Sequence, residues 1–214
     1  MTNRRDRPPF SFLLTVPLIA AIIKLMTGSA LLQRTKALQK IAAEIEQCAE
    51  CRKGGIGLPV PGEGTAEVPV MFIGEAPGRQ EARTGRPFIG RSGCLLRETI
   101  AAVGIAPEKA FITSPVHYRP ETGKPSPGMI AHGASHLVKQ IAAIKPRFLV
   151  LLGNSACRAI FGRSIEISRE HGTVVEKDGI LCFITFHPAY AMRFPEGRKN
   201  FIRDFERLKM LLAK

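Results

Sequence analysis

Three segments of the chain carry residue types that do chemistry together. The first, Gly74-Glu75-Ala76-Pro77-Gly78-Arg79-Gln80-Glu81, sets two carboxylates six positions apart on a loop rich in glycine and proline. Glycine lets backbone approach a ligand closely, and such carboxylates can steady a cation or orient a water. The same loop also reads as an ordinary strand-to-helix turn with solvated acids. The second, Thr84-Gly85-Arg86-Pro87-Phe88-Ile89-Gly90-Arg91-Ser92-Gly93, holds Phe88 in a Gly/Pro/Arg-rich setting. That ring can stack on a base or simply plug the core. The third is His187-Pro188-Ala189-Tyr190-Ala191-Met192-Arg193-Phe194. A histidine at a strand end can donate to a carbonyl, and Met192, Arg193 and Phe194 can form a wedge that enters a base stack. The competing reading is a capping histidine followed by a packed aromatic pair.

The elements that must position these segments follow from periodicity and punctuation. Leu31, Leu32, Leu38, Ile41, Ala42 and Ile45 predict a helix from Ser29 to Gln47. Short apolar runs predict strands at Val68–Ile73, Ala110–Val116 and Phe148–Leu152, and a hairpin from Gly172–Val175 and Ile180–Phe186. Helices are expected at Ser92–Val103, Met129–Ile144, Ser155–Phe161 and Asn200–Leu212. Continuous apolar strands alternating with helices indicate a mostly parallel sheet covered on both faces. Ligands bind such sheets beyond the carboxyl ends of the strands. Gly74–Gly78, Thr113–Tyr118 and His187–Tyr190 all follow strands and should converge on one crevice.

Composition narrows the partner. The chain has 214 residues, enough for one domain with a full core, and a formal net charge of +13. Like charges gain nothing in folding, so a polyanion, nucleic acid before an anionic membrane surface, explains the excess. The five cysteines form no obvious disulfide framework and fit a reducing, cytoplasmic setting. Residues 1–30 form an apolar extension: Arg4, Arg5 and Arg7 precede an apolar run from Phe10 to Ile23. The run falls short of the ~20 residues that span a bilayer. It is expected to be a helix packed on the domain, a membrane-surface anchor, or a stretch upstream of a true start at Met26, rather than an export signal.

The three segments, in this order and spacing, resemble the uracil-DNA glycosylase superfamily, especially its family 4. That family carries a Gly-Glu-(Ala/Gly)-Pro-Gly loop, then Thr-Gly-Arg-Pro-Phe-(Val/Ile)-Gly, and later His-Pro-Ala-Tyr. The similarity runs from about Leu31 to the C-terminus. It implies a three-layer α/β/α sandwich around a four-stranded mostly parallel sheet, with residues 31–214 as the catalytic domain. It further implies a monomeric, monofunctional glycosylase that flips uracil out of DNA and needs no obligate protein partner or membrane. By that resemblance Phe88 stacks on the base, His187 bonds uracil O2, and Glu75 and Glu81 share the work at the sugar and water. Gly74, Ala76 and Ser114 line the base pocket; Arg86, Arg91, Met192, Arg193 and Phe194 contact DNA.

Two departures from the family pattern stand out. The second strand usually ends Ile-Thr-Asn, whose amide reads the uracil edge; here it is Ile112-Thr113-Ser114. His117 or backbone would then supply that contact, or other deaminated or mismatched bases become substrates, or the protein binds uracil and abasic DNA without turnover. The family also holds a [4Fe–4S] cluster on four cysteines. Cys48 and Cys51 match the first two. The third is expected within Lys-Cys-Arg-Pro, here His117-Tyr118-Arg119-Pro120, and the fourth near Gly133. With the ligand pattern incomplete, a lost cluster is expected, and Cys48, Cys51, His117 and His132 are the candidates for a Cys2His2 metal site. Hydrolysis of the glycosidic bond needs no cofactor.

Overall fold

The computed structural model describes residues 16–106 and 109–213, with side chains from residue 28 onward. Helix α1 (Val16–Gln47) is longer than the pattern from Ser29 predicts and runs through residue 30 without a break. The side chains of the apolar run Phe10–Ile23 lie outside the described residues. Among the described residues no helix is long and apolar enough to cross a membrane.

After α1 come the single turn α2 (Ala49–Arg52), β1 (Gly55–Ile56), β2 (Val70–Ile73), α3 (Glu81–Thr84) and α4 (Arg91–Ala102). Then follow β3 (Ala110–Thr113), β4 (Arg119–Pro120), α5 (Pro127–Ile144), β5 (Phe148–Leu152) and α6 (Asn154–Phe161). The chain ends with α7 (Ile167–Glu170), β6 (Val174–Lys177), β7 (Ile180–Thr185), α8 (Pro188–Arg193) and α9 (Pro195–Leu212).

The main sheet has five strands in the order β3-β2-β5-β7-β6. β3, β2, β5 and β7 are parallel, and β6 adds an antiparallel edge to β7. The four-stranded expectation therefore gains a fifth strand, because the β6–β7 hairpin closes through Asp178 (φ 51) and Gly179 (φ 78). Two successive positive φ values give the turn whose twist suits a two-residue hairpin loop. β1 and β4 form a separate two-stranded ribbon.

Alternation along the strands explains the layers. Val70, Phe72, Ile112, Val150 and Phe183 face α4 and α9, where they meet Leu96, Ile100, Phe201 and Phe205. Met71, Ile73, Phe111, Leu149 and Ile184 face the other way, onto Leu137 and Ile144 of α5 and Ala156 of α6. Each large side chain buried in these two layers contributes about 1.5–3 kcal/mol. The α/β/α sandwich thus follows from strands apolar on both faces.

The cleft lies where this topology opens. β2 leads into α4 on one face, while its neighbour β5 leads into α6 on the other. Loops that part in this way leave a crevice beyond the strand ends. The ends are fixed by backbone: Gly74 N–H donates to Thr113 O at 2.8 Å, and Gly153 N–H to Thr185 O at 2.9 Å.

Proline and capping set several boundaries. β3 stops at Thr113, short of the expected Val116, because Pro115 cannot continue a ladder. α5 starts at Pro127 after Ser126, whose hydroxyl accepts from Met129 N–H at 3.2 Å. Gly133 on α5 lies against the segment that follows β3: a Cβ there would sit 1.6 Å from the Pro115 carbonyl oxygen. Gly133→Ala is therefore expected to destabilise the fold by about 1–3 kcal/mol through overpacking. An unchanged urea midpoint would contradict that close approach.

Candidate active site

A cleft of about 700 Å³ opens over the carboxyl ends of the parallel strands. Its walls include Glu75, Ala76, Glu81, Phe88, Arg91, Ser114, His187, Met192 and Arg193. The three chemistry-bearing segments therefore do converge. Gly74 contributes by having no side chain, since a Cβ there would meet Phe88 Cζ at 2.4 Å and Ser114 Oγ at 2.9 Å. The Phe88 ring consequently lies down against the end of β2.

Phe88 has φ 50, a left-handed conformation that costs a non-glycine residue roughly 1–3 kcal/mol. Two side chains hold it there. Glu81, only 7% exposed, accepts from Ile89 N–H at 2.9 Å and Gly90 N–H at 2.8 Å through the same oxygen. Arg97 donates to Phe88 O at 3.0 Å and to Pro87 O at 2.9 Å. Glu63 anchors Arg97 in turn at 3.2 Å. A Cβ at Gly93 would strike the Phe88 carbonyl carbon at 2.1 Å, so α4 also needs a glycine where it passes this loop.

His187 follows β7 and caps α8. Its Nδ1 accepts from Ala189 N–H at 3.2 Å. An accepting Nδ1 places the ring proton on Nε2, so the ring is a neutral Nε2–H donor. Burial pushes its imidazolium pKa down from the ordinary histidine value, and the nearby Glu75 carboxylate opposes the shift. Its ring centroid is 6.0 Å from that of Phe88, tilted 38°. Gly153 permits the approach, as a Cβ there would come within 3.1 Å of His187 Cβ. Glu75 is half-buried, and its Oε2 accepts from Ser155 Oγ at 2.7 Å across the crevice between the ends of β2 and β5.

The strand bearing His187 is braced from below. Asp204 on α9 accepts from Thr185 Oγ1 at 2.7 Å and from His171 Nδ1 at 3.0 Å. Burial pushes the Asp204 carboxyl pKa up, against the lowering effect of those two hydrogen bonds. Phe186 stacks on Tyr190 at 5.0 Å, and Tyr190 meets Phe194 at 4.7 Å.

The remaining expected residues separate into those at the cleft and those away from it. Arg91, Met192 and Arg193 line it, and Phe194 is exposed beside them with the Arg193 guanidinium 5.3 Å above its ring. Arg86 is committed elsewhere: it grips Glu63 at 2.7 and 2.9 Å. That pairing holds the Glu63 carboxyl below the usual carboxylate range. His117 does not line the cleft. It is 1% exposed with Nδ1 3.2 Å from Val60 O, so it cannot replace a missing asparagine amide at the base edge. Arg97 and Ser155 are additions that the motifs alone did not single out. Ser155 had a signal, since it follows the carboxyl end of a central parallel strand.

The metal candidates also rearrange. Cys48, Cys51, His132 and His136 place one ligand atom each within 4.8 Å of one another. His136 thus joins the group in place of His117. Burial raises the Cys48 thiol pKa, yet contacts with His136, Cys51 N–H and His132 outweigh it and bring the value down to about 6. Burial and the neighbouring Cys48 push Cys51 up to about 12.

Comparison with known proteins agrees with this geometry. Residues 61–209 match the model of the Uracil DNA glycosylase superfamily. The type-4 uracil-DNA glycosylase of Archaeoglobus fulgidus is 34% identical over 190 residues, covering 84% of this chain and 95% of that protein. Those of Sulfurisphaera tokodaii (35% identical, 81% of this chain, 84% of that protein) and Thermotoga maritima (31%, 85% and 97%) are similar to the same degree. The match spans every strand of the main sheet and both walls of the cleft, and the chain belongs to the uracil DNA glycosylase superfamily, alongside its type-4 members.

Proposed function

We propose that this protein is a monofunctional uracil-DNA glycosylase that hydrolyses the N-glycosidic bond of a flipped-out uracil, working as a cytoplasmic monomer. Supporting this is His187, a neutral Nε2–H donor by virtue of its Nδ1 cap, which lines the same cleft as Phe88 and Glu75.

The chemistry follows from charge. Extruding the nucleotide costs a few kcal/mol. Arg91, Arg193 and the exposed Met192 and Phe194 offset this by engaging the duplex, and the Phe88 ring receives the base. As the C1′–N1 bond breaks, its electron pair passes into the uracil ring and reaches O2, while positive charge grows on the sugar. The fixed Nε2–H of His187 meets the developing oxyanion, an effect worth roughly 3–4 kcal/mol of barrier. The Glu75 carboxylate, oriented by Ser155, faces the sugar cation and the incoming water. The water oxygen bonds to C1′, and its proton balances the departing uracil anion. Glu81 acts differently from Glu75. With one oxygen already shared between two amides, it positions Phe88 rather than meeting the water.

Ser114 bears on which base is accepted. Its hydroxyl lies at the cleft wall, shorter than an amide and unable to bond two adjacent edge atoms of uracil. A panel of oligonucleotides carrying uracil, hypoxanthine, xanthine or mismatched thymine tests the specificity. Uracil is expected to be released fastest, and Ser114→Asn is expected to widen its lead over the other bases. Faster release of hypoxanthine than of uracil by the wild-type protein would replace uracil as the substrate.

A further inference from the structure

The four cysteines of the family's iron–sulfur cluster cannot be assembled here. The chain position of the third is filled by Tyr118, which is fully buried, with its hydroxyl donating to Glu46 O at 3.2 Å. Near the fourth, the Gly133 Cβ position is occupied by the Pro115 carbonyl. The donor set present is two thiols and two imidazoles from Cys48-x2-Cys51 and His132-x3-His136. Residues four apart on a helix share one face, so α5 presents both rings together toward the turn between α1 and α2.

We propose that Cys48, Cys51, His132 and His136 bind a single zinc ion in a closed tetrahedral site. The spacing of the ligand atoms carries this. Thiolate and imidazole ligands of one zinc sit at about 2.3 and 2.0–2.1 Å from the metal, which places them roughly 3.3–3.8 Å from one another in a tetrahedron. Cys48 Sγ and His132 Nε2 are already 3.2 Å apart, and all four atoms lie within 4.8 Å of each other. A cubane cluster would hold its ligands on separate irons at the corners of a wider figure. A Rieske-type pair of irons would separate the thiolates from the imidazoles.

A second observation points the same way. His136 is 6% exposed, and its Nδ1, like Nε2 of the neighbouring His117, is buried with no hydrogen-bond partner among the described residues. Buried polar atoms are rarely left so, and a metal-bound ring would be held by its ligation. The site is structural rather than catalytic. Four protein ligands leave no open position for water, and none of the four residues lines the cleft. It fastens the end of α1 to α5 and is independent of the glycosylase reading.

Metal analysis of the purified full-length protein tests this. Zinc at one equivalent per chain, without iron, is expected. Exchange with Co2+ is expected to give the intense d–d and thiolate charge-transfer bands of tetrahedral S2N2 ligation. Removal of zinc lowers the melting temperature. His136→Ala loses stoichiometric metal, His136→Cys retains it, and His117→Gln retains it because His117 is not a ligand. Should His136→Ala fail to fold, the Co2+ spectrum and the other two variants still decide. A brown protein carrying iron and sulfide, metal-free protein that takes up neither Zn2+ nor Co2+, or loss of metal in His117→Gln with retention in His136→Ala would overturn the assignment.

Discussion

His187→Asn is expected to lower kcat for uracil release by about 10²–10³-fold, the usual cost of removing one preorganised donor to a developing oxyanion. Asparagine is the informative replacement because it is a good N-cap. It can still accept from Ala189 N–H and hold α8, so the melting temperature should barely move. Alanine would remove the cap as well and cost about 1 kcal/mol of stability. KM should change little, since the bond strengthens only as charge reaches O2. The pH profile adds a sign. Burial lowers the His187 pKa, so the neutral donor survives into mildly acidic solution below the ordinary histidine value. Protonation at still lower pH would compete with the Ala189 cap and destabilise the cleft. Stability from this group is complete above the unfolded histidine pKa and is lost as pH falls through the folded one. A kcat for His187→Asn equal to that of the wild type would remove His187 from the chemistry.

Glu81→Ala is expected to cost about 1–3 kcal/mol of stability, because Ile89 N–H and Gly90 N–H lose their shared acceptor. The strained Phe88 then has only Arg97 to hold it, so uracil release should fall through KM and kcat together. Glu81→Gln keeps an accepting oxygen and should recover most of both. The comparison separates positioning from catalysis. A carboxylate acting directly on water would leave glutamine as inactive as alanine. The two carboxylates of one loop have different surroundings: Glu75 accepts from a hydroxyl at the open crevice, and one oxygen of Glu81 accepts from two backbone amides.

The sheet was legible because its strands are short apolar runs with punctuated ends. β5 falls where Phe148–Leu152 places it, and the cleft falls at the strand ends that the alternation implies. Boundaries were lost where proline has two meanings. The terminal helix is expected at Asn200–Leu212, yet Pro195 is the first residue of α9, where its missing N–H has no partner to lose. His187 does cap a helix, as one of its two readings has it, and Pro188 at the same kind of position starts α8. The fifth strand was half visible, since the hairpin was expected but its first arm was not counted into the sheet.

At the site, Glu75, Phe88 and His187 could be named from local motifs. Arg97 and Ser155 belong to no such motif: Arg97 reaches back from α4 to the Pro87 and Phe88 carbonyls, and Ser155 meets Glu75 from 80 residues away. Arg86 shows the converse. It lies in a basic loop that suggests a phosphate contact, but Glu63, 23 residues away, takes both prongs of its guanidinium. The metal ligands illustrate a third case. Matching positions to a four-cysteine pattern points to His117, whereas the helical spacing of His132 and His136 points to a shared face.

A glycosylase cleft breaks the glycosidic bond, whereas a binding cleft merely holds the base. Single-turnover incubation of the purified protein with a uracil-containing oligonucleotide, with free base measured by mass spectrometry, separates the two most directly. The prediction is stoichiometric free uracil, an alkali-labile abasic site in the DNA, and a rate slowed about 10²–10³-fold in His187→Asn. Tight binding of the uracil DNA with no free uracil would contradict it.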